Sequence, residues 1–134
     1  PTYDPDDKTI TNSYSATGTG TIQAIKAISG HDWPEGGTVT FTLSAADGVP
    51  MPTENVSVEL KKAGTATFGT ITYSEAGTYT YTISESATGF DDGWTLGGDI
   101  TVTTNVTDND DGTLTATPTY DPDDQTITNS YSAT

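Results

Sequence analysis

Strict alternation of threonine with large apolar residues restricts the fold of this chain more than any other feature. In GTYTYTISE (77–85) the residues at even positions are Thr or Ser, and those between are Tyr, Tyr, Ile and finally Glu. The same two-residue period runs through GTVTFTLSA (37–45), GDITVTTNVTD (98–108) and QTITNSYS (125–132). Successive side chains of an extended strand point to opposite faces of a sheet, so each run presents one apolar and one hydroxyl-bearing face. Further runs at 17–29, 55–62, 65–73 and 112–121 are set off by Gly, Pro and Asp-Gly, and TDNDDGTL reads as a hairpin turn. No segment carries a sustained helical period. Seven or eight short strands at this spacing predict an all-β fold, an immunoglobulin-like β-sandwich with Greek-key-like connections.

Composition matters here for what it excludes. Only 31% of residues are apolar, a share compatible with disorder, but 30 of the 134 residues are Thr and they occupy the alternating positions. A net charge of −15, with four Lys and no Arg, leaves no cationic surface for nucleic acid. The same charge favours solubility and repulsion between copies, so the isolated module is expected to be a monomer. With no Cys, neither a disulfide framework nor a thiolate metal site can form. No run of 18 apolar residues is present, and no membrane insertion is expected.

The two ends of the chain are duplicates. PTYDPDDKTITNSYSAT (1–17) recurs as PTYDPDDQTITNSYSAT (118–134), differing only at Lys8 and Gln125. The simplest reading makes 1–17 the closing strand of a preceding repeat and 18–134 one complete module of a tandem array. Neighbouring modules of the same protein are then the expected partners.

Alternation also marks three polar residues on apolar faces. In 77–85 the inward set is Tyr79, Tyr81, Ile83 and Glu85. In 125–132 it is Ile127, Asn129 and Tyr131. In TIQAIKAIS, Ile22, Ala24, Lys26 and Ile28 share a face, although Ile25 and Ala27 are apolar on the other. Burying an unpartnered charge is costly. Lys26 and Glu85 could snorkel to water from strand ends, or form a buried ion pair. Alternatively, burial could neutralise both and present the Lys26 amine to the Asn129 amide carbon.

At these residues the sequence resembles a known family. IKAISGHDWPEGGTVTFTL, FGTITYSEAGTYTYTISE, DNDDGTLTATPTYD and TITNSY together resemble the isopeptide-linked pilin and adhesin modules of Gram-positive surface proteins. The nearest type is the streptococcal pilin isopeptide linkage domain, related to the collagen-adhesin B-type fold. The resemblance spans about residues 19–132. It implies a reactive lysine on the first strand, a catalytic glutamate on a middle strand and an acceptor asparagine on the last, here Lys26, Glu85 and Asn129. It also implies an extracellular, cell-wall-anchored parent protein.

The chemistry expected of the three is one self-directed acyl transfer. Burial lowers the pKa of the Lys26 amine and raises that of the Glu85 carboxyl. The free amine attacks Asn129, while protonated Glu85 hydrogen-bonds the amide oxygen and relays protons to the departing ammonia. No cofactor is needed and nothing turns over, so the module is not an enzyme. Pulling force applied at the termini would pass through the new bond.

Rival readings attach to other residues. The acidic DNDDG (108–112) departs from calcium-loop spacing and reads as a solvated turn; DPDD at 4–7 and 121–124 could hold a weak Ca²⁺ between modules. His31 reads as a surface-loop residue, and Trp94 as packing over a sandwich end. Gln125 is the candidate for an ester cross-link to a Thr. From a different class, the module could be an adhesive domain binding host protein or glycan.

Overall fold

The computed structural model describes residues 15–132, and every regular element among them is a strand. In chain order these are β1 (Gly18–Gly20), β2 (Gln23–Ser29), β3 (Thr38–Ala45), β4 (Ser57–Leu60), β5 (Gly64–Thr67) and β6 (Ile71–Tyr73). They continue with β7 (Gly77–Thr88), β8 (Trp94–Thr95), β9 (Ile100–Asp108), β10 (Leu114–Asp121) and β11 (Thr126–Tyr131). A five-stranded sheet has the order β10-β9-β7-β3-β4, a four-stranded sheet the order β5-β2-β11-β8, and β1 pairs with β6 alone. The inner faces of the two large sheets meet in one core. Ala24, Ala66 and Ile127 contribute from one side, and Val39, Phe41, Leu43, Tyr81, Ile83, Ile100 and Val102 from the other. This is the immunoglobulin-like β-sandwich that the alternation predicts.

In the four-stranded sheet β2 and β11 are parallel neighbours, with Ile127 opposite Lys26 and Asn129 opposite Ile28. A parallel pair cannot be closed by a tight turn. Here the intervening chain is nearly the whole module, so the first and last long strands are brought together only by folding everything between them.

Three details differ from the sequence reading. The runs 17–29 and 65–73 are each divided in two, because the chain changes partners at Ile22 and Phe68. β2 pairs with β5 and β1 with β6, and the Phe68 N–H donates to the Ile22 carbonyl at the step (3.0 Å). β1 presses instead against the start of β10. A Cβ at Gly18 would lie 2.2 Å from the Leu114 carbonyl oxygen, so only glycine fits that approach. Finally, β8 was not expected; it pairs with the end of β11, Thr95 opposite Ser130 and Trp94 opposite Tyr131.

Pro118 lies in β10, the edge strand of its sheet, where a missing N–H costs no ladder bond. Within the core the tyrosines are linked: Tyr73 and Tyr81 hydroxyls are 2.9 Å apart, and Tyr81 donates to the Pro50 carbonyl at 2.8 Å. Burial and the Tyr73 hydroxyl push the Tyr81 phenol far above its ordinary pKa. The Thr104 hydroxyl on β9 is buried with no hydrogen-bond partner among the described residues.

Candidate functional site

Each of the three polar residues sits where alternation places it. On β2, Gln23, Ile25 and Ser29 are exposed while Ala24 and Lys26 are buried; Ile25, the apolar residue that blurred the pattern, is 38% exposed. On β11, Ile127 and Asn129 are buried between exposed Thr128 and Ser130. On β7 the strand does not end at Glu85. It runs on to Thr88, with Glu85 opposite Phe41 of β3, so Glu85 lies within the strand and not at its end. The side chains of Lys26 and Glu85 are 0% and 1% exposed, and Asn129 is 0% exposed. Snorkelling is therefore excluded for both charged residues.

The sandwich brings the three into contact across its interior. Lys26 and Asn129 project from adjacent strands of one sheet, and Glu85 faces them from the other. The Lys26 ammonium nitrogen lies 3.2 Å from Glu85 Oε1 and 3.2 Å from the Ile127 carbonyl of the neighbouring strand. Asn129 Nδ2 donates to Glu85 Oε2 at 2.7 Å. One carboxyl thus holds the amine on one oxygen and the carboxamide nitrogen on the other.

One expected contact is different. The Glu85 carboxyl meets the amide nitrogen of Asn129, not its oxygen. Asn129 Oδ1 instead accepts the backbone N–H of Gly97 at 2.9 Å, from the turn that follows β8. Sequence reading missed Gly97 because it works through its main chain, and WTLGG carries no side-chain signal of such a role.

Two opposed influences act on the Lys26 amine. Desolvation disfavours its cation, while the nearby Glu85 favours it by charge and hydrogen bond. Desolvation is the larger, and the pKa lies below the ordinary lysine range.

The remaining candidates take simpler places. His31 is exposed, with its ring 4.8 Å from that of Tyr131. Trp94 packs edge-on against Phe90 and Tyr131 at ring separations of 5.0 and 5.4 Å, closing the sandwich end beyond Asn129. Gln125 donates from its amide to the Gln23 carbonyl at 3.2 Å, at the start of β11. In the β9–β10 turn, Asp108 and Asp111 accept the N–H groups of Asp110 and Thr113 at 2.8 and 3.0 Å. No cluster of three or more potential metal-binding His, Cys, Asp or Glu residues occurs among the described residues. Asn12, the counterpart of Asn129 in the first copy of the duplicated segment, and the first DPDD copy lie outside those residues.

Sheets, register and cluster together define an immunoglobulin-like module with a buried lysine–glutamate–asparagine group between its layers. The family described as Spy0128-like isopeptide containing domain (FctA) matches residues 22–132, a span that includes Lys26, Glu85 and Asn129. The chain belongs to this family, and so is a pilin-type isopeptide-containing structural domain. A search of curated proteins gives no match.

Proposed function

We propose that this chain is a repeat module of a bacterial surface stalk, made durable by an isopeptide bond that forms between Lys26 and Asn129 with Glu85 as catalyst. The observation that carries this reading is the double engagement of Glu85, whose two oxygens touch the nucleophile and the leaving group at once. In a dry site the Lys26 ammonium gives a proton to the carboxylate beside it, since desolvation favours the neutral amine. The amine lone pair then attacks Asn129 Cγ, and the carbonyl electron pair moves onto Oδ1. As the tetrahedral centre collapses, the Cγ–Nδ2 bond breaks. Nδ2 takes a proton from the Glu85 carboxyl, Nζ returns one to it, and ammonia departs. Primary amide and ammonium become secondary amide and ammonia, and the proton that Lys26 first gave up remains on the Glu85 carboxyl.

Folding supplies most of the acceleration. Amine and carboxamide are fixed against one carboxyl, an arrangement comparable to intramolecular reactions of effective molarity about 10⁵–10⁸ M. The residues are consumed in one event, so the module is a self-modifying structural element and not an enzyme. Because β2 is the first long strand of the module and β11 the last, a pull along the chain passes from one strand to the other through the bond. Tandem copies joined in this way form a surface stalk that resists extension and proteolysis.

Intact mass tests the reading. The folded chain is expected to weigh one ammonia less than its sequence, and Lys26→Ala, Glu85→Ala and Asn129→Ala to restore the full mass. A native chain at full mass overturns it. A ladder of covalent oligomers on a denaturing gel would show Lys26 reacting with Asn12 of another molecule, against the advantage of the tethered Asn129.

A further inference from the structure

From the contact between the Gly97 N–H and Asn129 Oδ1, we infer that Gly97 supplies the oxyanion donor of the condensation and fixes which way the Asn129 amide faces. The inference rests on the reading of Lys26, Glu85 and Asn129 above.

A backbone N–H can donate but never accept. The Asn129 atom facing Gly97 at 2.9 Å is therefore its oxygen, which turns Nδ2 toward Glu85. Had the amide the opposite orientation, its NH₂ would oppose the Gly97 N–H and Oδ1 would face the carboxyl. The single peptide group of Gly97 thus places the leaving nitrogen on the proton source. It also meets the atom on which negative charge develops. When Lys26 attacks, Oδ1 passes from carbonyl oxygen to oxyanion, and a donor already in place stabilises that charge without reorganisation.

The local chain is built for this approach. A Cβ at Gly97 would stand 2.6 Å from Ile127 Cγ2 and 2.7 Å from the Thr128 carbonyl oxygen. Any side chain would push the turn away from β11 and withdraw the N–H. Two-residue β8 ties the same segment to β11, Trp94 opposite Tyr131 and Thr95 opposite Ser130. A strand so short contributes little to the sheet, but it sets the distance between the Gly97 peptide and Asn129.

The test removes the Gly97 hydrogen-bond donor and leaves every side chain in place. The chain is assembled chemically with glycolic acid at position 97, which replaces the amide by an ester lacking the N–H. It is refolded from guanidinium and sampled by intact mass over a range of pH. The expected result is ammonia loss slowed by about 10²–10³-fold relative to the all-amide chain, the range for deletion of one oxyanion donor. The pH midpoint should be unchanged, because the Lys26 surroundings are intact; a merely loosened core would admit water and move it. An equal rate, or a moved midpoint, overturns the role of Gly97. If the all-amide chain itself loses no ammonia, the failure lies with the cross-link reading instead.

Amide exchange provides a second measure that does not require the ester to fold. In the Lys26→Met chain, which lacks the nucleophile, the Gly97 amide should be protected, and Asn129→Ala added to it should release that protection. Equal exchange in both proteins contradicts the contact.

Discussion

The proposed condensation asks of Lys26 a reaction that a lysine side chain does not perform in water. A free lysine near neutral pH is almost wholly protonated. Here desolvation outweighs the attraction of Glu85, and the neutral amine becomes accessible at lower pH. Ammonia loss by the refolding chain should fall as pH rises through a midpoint below the ordinary lysine value of about 10.4, because the lysine–glutamate pair then loses the one proton that the leaving nitrogen must take. Mass time courses at stepped pH check this, and a midpoint at the ordinary value would mean that the amine is not desolvated when it reacts. A second prediction concerns Thr104, whose buried hydroxyl lacks a partner. Thr104→Val keeps the shape and removes the uncompensated polar group. It should stabilise the fold by about 1 kcal/mol in urea titrations.

Among the elements, β2, β7 and β11 were the most legible in the sequence. Their two-residue period assigns Lys26, Glu85 and Asn129 to inner faces before any partner is known; Lys26 and Asn129 are buried residues, and the Glu85 side chain is 1% exposed. What alternation cannot give is which strands adjoin. The parallel β2–β11 pair depends on contacts between residues about a hundred positions apart. Short elements were also invisible: β1 is Gly-Thr-Gly and β8 is two residues, too few for a period to show. The Gly97 contact lay beyond reach for a different reason, since any residue except proline has the same N–H. Bonding β2 to β11 closes a loop of about 100 residues, which in the loop-entropy treatment is worth about 4–5 kcal/mol. Glu85→Gln, nearly isosteric and unable to relay the protons, should therefore unfold at distinctly lower denaturant than the native chain. Equal midpoints would leave the bond without a stabilising role. Gly18→Ala should destabilise the module by forcing β1 off Leu114, and should do so whether or not the cross-link forms.

For the molecule as a whole, the duplicated ends acquire meaning from the residues just before β1. Ala16 is buried in the core, and Thr17 accepts the Leu114 N–H at 2.9 Å. In the proposed array, Ser15–Ala16–Thr17 follows the closing strand of one copy and docks in the next. Only one residue then separates the last residue of β11 from a core residue of the following module, a span of roughly 7 Å at about 3.3–3.6 Å per residue. Consecutive modules must abut. Two joined copies should scatter X-rays as a stiff rod about twice the length of one, whereas a broad spread of dimensions would indicate a flexible joint.

The most direct measurement is peptide mapping of the native chain by tandem mass spectrometry. A branched peptide is expected, joining the β2 segment at Lys26 to the β11 segment at Asn129 and lighter by one ammonia than the sum of its parts. It should vanish in Glu85→Ala. Recovery of the two segments only as separate, unmodified peptides from correctly folded protein would contradict the account.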